Sequence, residues 1–389
     1  MKPGALDGIR VLDFTALVQG PMATQILGDL GADVIKFERE EGEWSRHWGI
    51  GNGCTHGELD SFLAFNRNKR SVAVDLKSPR VRERIFELVK AADVVIENFR
   101  PGVMDRLGYG YEALREVNPG IIYACSSGWG QTGPYRDRPG QDMLAQAMSG
   151  LIQLSGRRDD PPTAMGVGLV DLYSGMHLVV GVLAALLYRT RTGEGQRIEV
   201  SLFSCATALQ QQELTYYLSH RSMPERPVRN TTSRFVTAPF GIYQVADGHI
   251  VIAMTPCPVL AKALDLPEIA QFDTNELMFE HRVAIYDMVA AKLSTVPIDT
   301  VIPQLLDYDV WCAPVHDYEA LLADPQFQHN GLMWDIPVGD GGPTYRTIGS
   351  PLSMSVTPPA IRYGAPRVGE HTAEIFGGAF VEAGGEPSE

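Results

Sequence analysis

Four short apolar runs, at residues 9–14, 34–38, 94–97 and 121–124, alternate with stretches of helical periodicity at 20–30, 79–91 and 111–117. That rhythm predicts a largely parallel β-sheet with helices on both faces, an α/β fold. Local punctuation agrees. Pro21 stands in a first helical turn, where its missing N–H costs nothing, and Gly31-Ala32-Asp33 turns the chain into the second run. Ligands of such sheets bind outside the carboxyl ends of the strands. The segments just after Phe14, Phe37, Glu97 and Cys125 are therefore where function is expected.

Further along, the pattern changes. Residues 145–218 read as mostly helical, interrupted at 156–162 and 193–196, with a short strand at 197–201 and one long helix over 202–218. The polar, proline-bearing stretch 219–233 reads as a linker. Beyond it, 240–243 and 250–254 alternate like a hairpin around Asp247-Gly248, and helical patterns fill 258–306. With 389 residues, two domains are expected. The division runs 1–218 for the amino-terminal part of a large domain, 219–330 for the linker and a smaller α+β domain, and 331–389 for a return to the large one. The tail 383–389 is expected to fray.

Composition narrows the function classes. Hydrophobic residues make up 44% and charged residues 21%, an ordinary globular balance. A formal charge of -14 argues against nucleic acid as a partner, while a local basic pocket for a small anion stays compatible with it. Cys54, Cys125, Cys205, Cys257 and Cys312 form no CxxC pair, and HExxH and GxxxxGK[ST] are absent, so neither a metal site nor a P-loop is expected. Residues 1–7 lack the apolar run of a secretory signal, and the longest apolar run, 178–188, falls short of a membrane span. A soluble, cytoplasmic protein is expected.

Two places carry chemistry. Asp171 precedes the apolar run 178–188 and has glycines on both sides, at Gly166, Gly168 and Gly175. An aspartate near a helix start is commonly a cap; the alternative is a carboxylate nucleophile that attacks an activated acyl group. Spacing alone does not choose between them. The second place is Asn98-Phe99-Arg100-Pro101-Gly102, directly after the third run, which is either a surface turn or a ligand edge offering an amide, an aromatic face and a guanidinium. Arg39 follows the second run, and Arg106, Lys69 and Arg70 complete a basic set suited to a ligand with several phosphates.

Across these residues the chain resembles the family III CoA-transferases of the CaiB/BaiF type, which include formyl-CoA transferase, crotonobetainyl-CoA transferase and the α-methylacyl-CoA racemases. The resemblance runs through Leu6-Asp7-Gly8-Ile9-Arg10-Val11-Leu12-Asp13-Phe14, Leu30-Gly31-Ala32-Asp33-Val34-Ile35-Lys36 and Asn68-Lys69-Arg70-Ser71. It continues through Glu97-Asn98-Phe99-Arg100-Pro101-Gly102, Gly128-Trp129-Gly130-Gln131-Thr132-Gly133-Pro134, Thr192-Gly193-Glu194-Gly195-Gln196, Cys312-Ala313-Pro314-Val315 and Gly369-Glu370-His371-Thr372. It implies a Rossmann-like large domain built from both chain ends, a smaller domain between, and an interlocked homodimer. It further implies CoA held by Val18, Gln19, Arg39, Asn98, Phe99, Arg100 and Arg106, with Val74 and Lys77 lining the same site. Asp171 becomes the expected nucleophile and Asp142 an acidic neighbour, or else a turn or cap. Coenzyme A enters as a thioester substrate together with a free carboxylic acid, and no cofactor is called for.

Two departures qualify the resemblance. The racemases carry a histidine in a Gly-His-Asp segment, whereas this chain has Pro139-Gly140-Gln141-Asp142, and the Gln141 amide is no general base. The racemase-like alternative is correspondingly disfavoured, and the retained Asp171 disfavours the other, a non-catalytic acyl-CoA binding protein. Formyl-CoA transferase also has a glycine run in its small domain that residues 231–241 lack, so its specificity does not carry over.

Overall fold

The computed structural model describes residues 3–48, 53–231 and 233–377. Two compact units emerge, one of Met1–Ala145, Val167–Ala208 and Asn330–Glu389, the other of Gln146–Gly166 and Leu209–His329. The tail 383–389 lies outside the described residues.

In the first unit, β1 (Arg10–Phe14), β2 (Asp33–Glu38), β3 (Cys54–Thr55), β4 (Glu58–Leu59), β5 (Lys69–Ala73), β6 (Val94–Glu97), β7 (Ile122–Ser127) and β8 (Arg197–Ser201) follow one another. β3 and β4 pair as a short hairpin, and the other six make one parallel sheet in the order β5-β2-β1-β6-β7-β8. The chain builds outward from β1 to one edge, then returns and builds the other. The order reverses between β1 and β6, and the loops leaving Phe14 and Glu97 flank the crevice where such sheets bind ligands.

Alternating side chains supply two cores. Leu12, Phe14, Ile35, Val95 and Tyr123 pack on one face against Val81, Ile85 and Val89 of the helix Pro79–Val89. Val11, Val34, Val94, Ile96 and Ile122 pack on the other against Ala23 and Leu27 of the helix Gln19–Asp29, and against Leu178, Val182 and Ala185 of the helix Leu169–Thr192. The last of these is longer than its apolar run suggested. By length and composition alone it is able to cross a membrane, with a mean hydropathy of 1.8 over its best 18-residue window, 44% of which is buried within the fold. Gly175 permits its approach to the helix Gln19–Asp29, because a Cβ there would lie 2.7 Å from the Gln19 carbonyl oxygen.

The long helix expected over 202–218 is instead two, Leu202–Ala208 and Gln211–His220. Gln210 leaves helical geometry (φ -101°, ψ 25°) and its amide donates to the Ser149 carbonyl, a tertiary bond no local periodicity signals. The chain passes from one unit to the other at this break.

Edge strand β5 is covered by the motif near the carboxyl end. The His371 N–H donates to the Ser71 carbonyl (2.9 Å), the Ser71 N–H to His371 Nδ1 (3.2 Å) and the Ala73 N–H to Thr372 Oγ1 (3.0 Å). Side chains thereby satisfy an edge that would otherwise invite pairing with another chain. The second unit has its own antiparallel sheet, β11-β10-β9, from β9 (Gly241–Val245), β10 (Gly248–Ile252) and β11 (Cys312–Pro314). Tyr243, Ile250, Leu260, Ile285 and Val289 are among its core residues.

Candidate active site

The loop after β1 carries Val18 and leads into Gln19 at the start of the helix Gln19–Asp29, and it is braced from three directions. Asn98, just past β6, spends both ends of its amide on Ala16: Oδ1 accepts the Ala16 N–H (2.9 Å) and Nδ2 donates to the Ala16 carbonyl (2.8 Å). The fully buried Lys36 donates to the Thr15 carbonyl at 2.8 Å. Leu17 adopts a φ of 70°, and its N–H donates to Glu43 Oε2. Neither Lys36 nor Glu43 was singled out from sequence, since each acts on a loop more than twenty residues away.

Arg39, Val74, and the Asn98–Phe99–Arg100 turn leave the carboxyl ends of β2, β5 and β6, so the parallel sheet gathers them on one rim. Arg39, Lys77, Arg100 and Arg106 are exposed, whereas Val74 is buried and Phe99 packs partly into the core. Gly102 (φ 78°) ends the turn, and a Cβ there would lie 3.3 Å from Arg106 Nη1 and 3.1 Å from Arg136 Nη2. Arg136, which was not singled out from sequence, thus joins the basic rim.

Lys69 and Arg70 do not belong to it, contrary to the sequence reading. Lys69 is fully buried, 3.2 Å from Asp13 Oδ2, and also donates to the Pro21 carbonyl and Asn66 Oδ1. Arg70 is committed to Asp33 and Glu374. Both are drawn inward by carboxylates distant in sequence.

Asp171 and Asp142 meet at the start of the helix Leu169–Thr192. Gly168 is the N-cap residue and contributes no side-chain hydrogen bond. The role falls to Asp142, whose Oδ2 accepts the N–H groups of Val170 (2.7 Å) and Asp171 (2.9 Å). Asp142 is 8% exposed and is set by its own loop: Gly128 and Gly140 cross so closely that a Cβ on either would lie 2.4 Å from the other's Cα. Trp129 Nε1 pins the same loop by donating to the Pro139 carbonyl. With Asp142 capping, the carboxyl of Asp171 is released from that task and makes no hydrogen bond or ion pair among the described residues. Burial, and after it the charge of Asp142, pushes Asp171 up to about 7. Ser174 Oγ donates to the Asp171 carbonyl and accepts from Gln19 Nε2 at 2.7 Å, tying the first turn of this helix to the β1 loop.

Such a carboxylate is poorly solvated when ionised, which favours attack on an electrophilic carbon. The N–H groups of Val170 and Asp171 supply no oxyanion donors, because Asp142 already occupies them. Among the described residues, no three His, Cys, Asp or Glu side chains cluster to hold a metal.

The chain matches CoA-transferase family III over residues 6–372. It is 34% identical to a succinyl-CoA:mesaconate CoA-transferase of Haloarcula hispanica, across 98% of either chain. It is likewise 34% identical to a succinate–glutarate CoA-transferase of Agrobacterium fabrum, across 95% of this chain and 94% of that one. A crystal structure of a CaiB/BaiF family protein from Brucella suis superposes with a TM-score of 0.85 at 32% identity, covering 96% of this chain and 99% of that one. With nearly its whole length matched, this chain belongs to the family III CoA-transferases and is an acyl-CoA:carboxylate CoA-transferase.

Proposed function

We propose that Asp171 is the nucleophile of a covalent transfer in which Val18, Gln19, Arg39, Val74, Lys77, Asn98, Phe99, Arg100 and Arg106 form the CoA site. The ionised Asp171 attacks the donor thioester carbon, the C–S bond breaks, and a mixed anhydride forms with release of CoA thiolate. The thiolate attacks the aspartyl carbonyl of that anhydride, giving an aspartyl-CoA thioester and freeing the donor acid. The acceptor carboxylate displaces CoA from Asp171, and the returning thiolate takes the acceptor's acyl group, regenerating the carboxylate. The observation that carries this reading is the division of labour at the helix start: Asp142 caps, and the Asp171 carboxyl has no partner among the described residues.

The acceptor and donor are read as small dicarboxylic acids, with succinyl-CoA as donor, because the relatives named above act on succinyl-CoA or succinate with mesaconate or glutarate. Racemisation is disfavoured because Gln141 is exposed and carries no base. The test follows every CoA thioester by mass spectrometry in D2O, with succinyl-CoA and a panel of carboxylates. New thioesters that Asp171→Ala abolishes are expected; deuterium at an α-carbon without acyl exchange overturns the reading.

Because Asp142 raises the cost of ionising Asp171, Asp142→Asn is expected to move the acid limb of kcat/KM downward from near pH 7. The expected shift is about half to one pH unit, since burial is the larger cause and remains. An unmoved limb in an active variant rejects this pairing. A homodimer completes the proposal. Met176, Val180 and Leu187 expose one apolar face of the long helix, and sedimentation at twice the 42.6 kDa chain mass checks it.

A further inference from the structure

Glu97 ends β6 and takes no part in the chemistry above, yet it is only 5% exposed. Its Oε2 accepts the Phe99 N–H at 2.8 Å, so the carboxyl folds forward and fixes the backbone between Asn98 and Arg100. Its Oε1 lies 3.5 Å from the Tyr123 hydroxyl of β7. Beside it is a polar cavity of about 50 Å³. Gln131 lines that cavity, and its Nε2 is buried with no hydrogen-bond partner among the described residues.

The charges around Glu97 come from every element packed there. Asp105, from the helix Val103–Leu107, opposes ionisation, and Glu112, beside Tyr111 on the helix Tyr111–Val117, adds a third carboxyl to the cavity wall. Arg197 of β8 favours ionisation but is itself engaged by Glu199 at 2.8 Å. On β7, the Cys125 thiol is pushed up to about 12 by burial and by Glu97, and contributes no charge near neutrality. Burial dominates, and Glu97 is pushed up to about 8.

We propose that Glu97 is a positioning residue for the CoA turn: its carboxyl holds the Phe99 N–H in place, and the charge it gains on ionisation weakens CoA binding. The inference rests on the reading of Asn98, Phe99, Arg100 and Arg106 as CoA-binding. Bound CoA brings several phosphate charges to the two arginines that follow Glu97 in the same turn and helix. A buried carboxylate close by is repelled by them, and linkage requires the reverse: an anion that opposes ionisation of Glu97 binds less tightly once Glu97 is ionised.

Calorimetry with acetyl-CoA between pH 7 and 9.5 tests this, since that ligand has no free thiol to titrate. Wild-type Kd is expected to rise roughly five- to ten-fold across the range. Glu97→Gln keeps an oxygen for the Phe99 N–H and loses the charge. It is expected to match the wild type at pH 7 and to lose most of the rise, whereas Glu97→Ala weakens binding at every pH. Lys69, held near 8, titrates in the same window but is present in all three proteins, so the difference between them isolates Glu97. Equal slopes in wild type and Glu97→Gln overturn the inference and leave the CoA site standing. Absence of acetyl-CoA binding to wild type at any pH overturns both. Wild type alone supplies an independent check: at pH 8.5 binding is expected to take up a fraction of a proton, read from buffers of different ionisation enthalpy, and no uptake overturns the inference even where a variant fails to fold.

Discussion

Asp171→Asn is expected to lower kcat for CoA transfer by roughly 10⁴-fold or more, the scale on which enzymes lose activity when their covalent nucleophile is removed. The same protein is expected to melt at a higher temperature than wild type at pH 8. Asp171 sits near 7 in the fold against 3.8 as an ordinary aspartate. Between those values the folded chain binds more protons than the unfolded one, so stability falls as pH rises through the interval, and the deficit stands in full above pH 7. By the usual conversion of a pKa difference that deficit is on the order of 2–4 kcal/mol. Asparagine carries no charge to desolvate and escapes it. Thermal melts at pH 8 and pH 4 check the sign: the advantage of the variant should be present at the first and vanish at the second. Inactivity with a lower melting temperature at pH 8 would instead mark Asp171 as a structural residue.

The second large effect concerns stability. Asp13→Ala is expected to cost about 3–5 kcal/mol, because it strands the buried Lys69 without its counter-charge. Asp13 also accepts from the Thr15 N–H and hydroxyl and from Thr24 Oγ1, and Thr15 begins the loop that carries Val18 and leads into Gln19. The loss should therefore appear both in urea denaturation and as a raised KM for acyl-CoA. Lys36 and Lys69, together with the threonine hydroxyls, hold the Asp13 carboxyl below its ordinary value despite burial. Its contribution is thus present above about pH 4 and disappears as pH falls below that. At Lys69 burial outweighs the attraction of Asp13 and pushes the amine down to about 8, so on the alkaline side the pair loses its cation first. A double variant, Asp13→Leu with Lys69→Met, leaves no stranded charge and is expected to cost less than Asp13→Ala alone. A double loss equal to the sum of the singles contradicts the pairing.

Apolar runs announce parallel strands because both faces are buried, which is why 94–97 could be read with the bounds later found for β6 and why the loops after Phe14 and Glu97 could be read as the sheet's ligand edge. What stayed hidden was every role assigned across the chain. Asn98 was legible as a residue at the sheet's rim, but its grip on Ala16 spans 82 positions. Asp142 and Asp171 were each legible as acids near a helix start. That one caps the other's helix depends on the Gly128–Gly140 crossing, which only tertiary structure supplies. Lys69 read as part of the phosphate-binding basic set because nothing in Asn68-Lys69-Arg70 distinguishes a buried lysine from an exposed one until Asp13 stands beside it. The break at Gln210 was invisible for the same reason.

The cover over edge strand β5 has a consequence for biosynthesis. Ser71 and the imidazole that satisfies its N–H are 300 positions apart. At about 5–20 residues per second, a ribosome that has delivered Ser71 needs roughly 15–60 s to deliver His371. Throughout that interval the nascent chain carries an open, hydrogen-bond-hungry strand edge, while the second unit, encoded between, has emerged and can fold. The sheet's last lock closes only once segment 369–372 has been made, so the covering of this edge is the latest of the sheet's contacts to become possible.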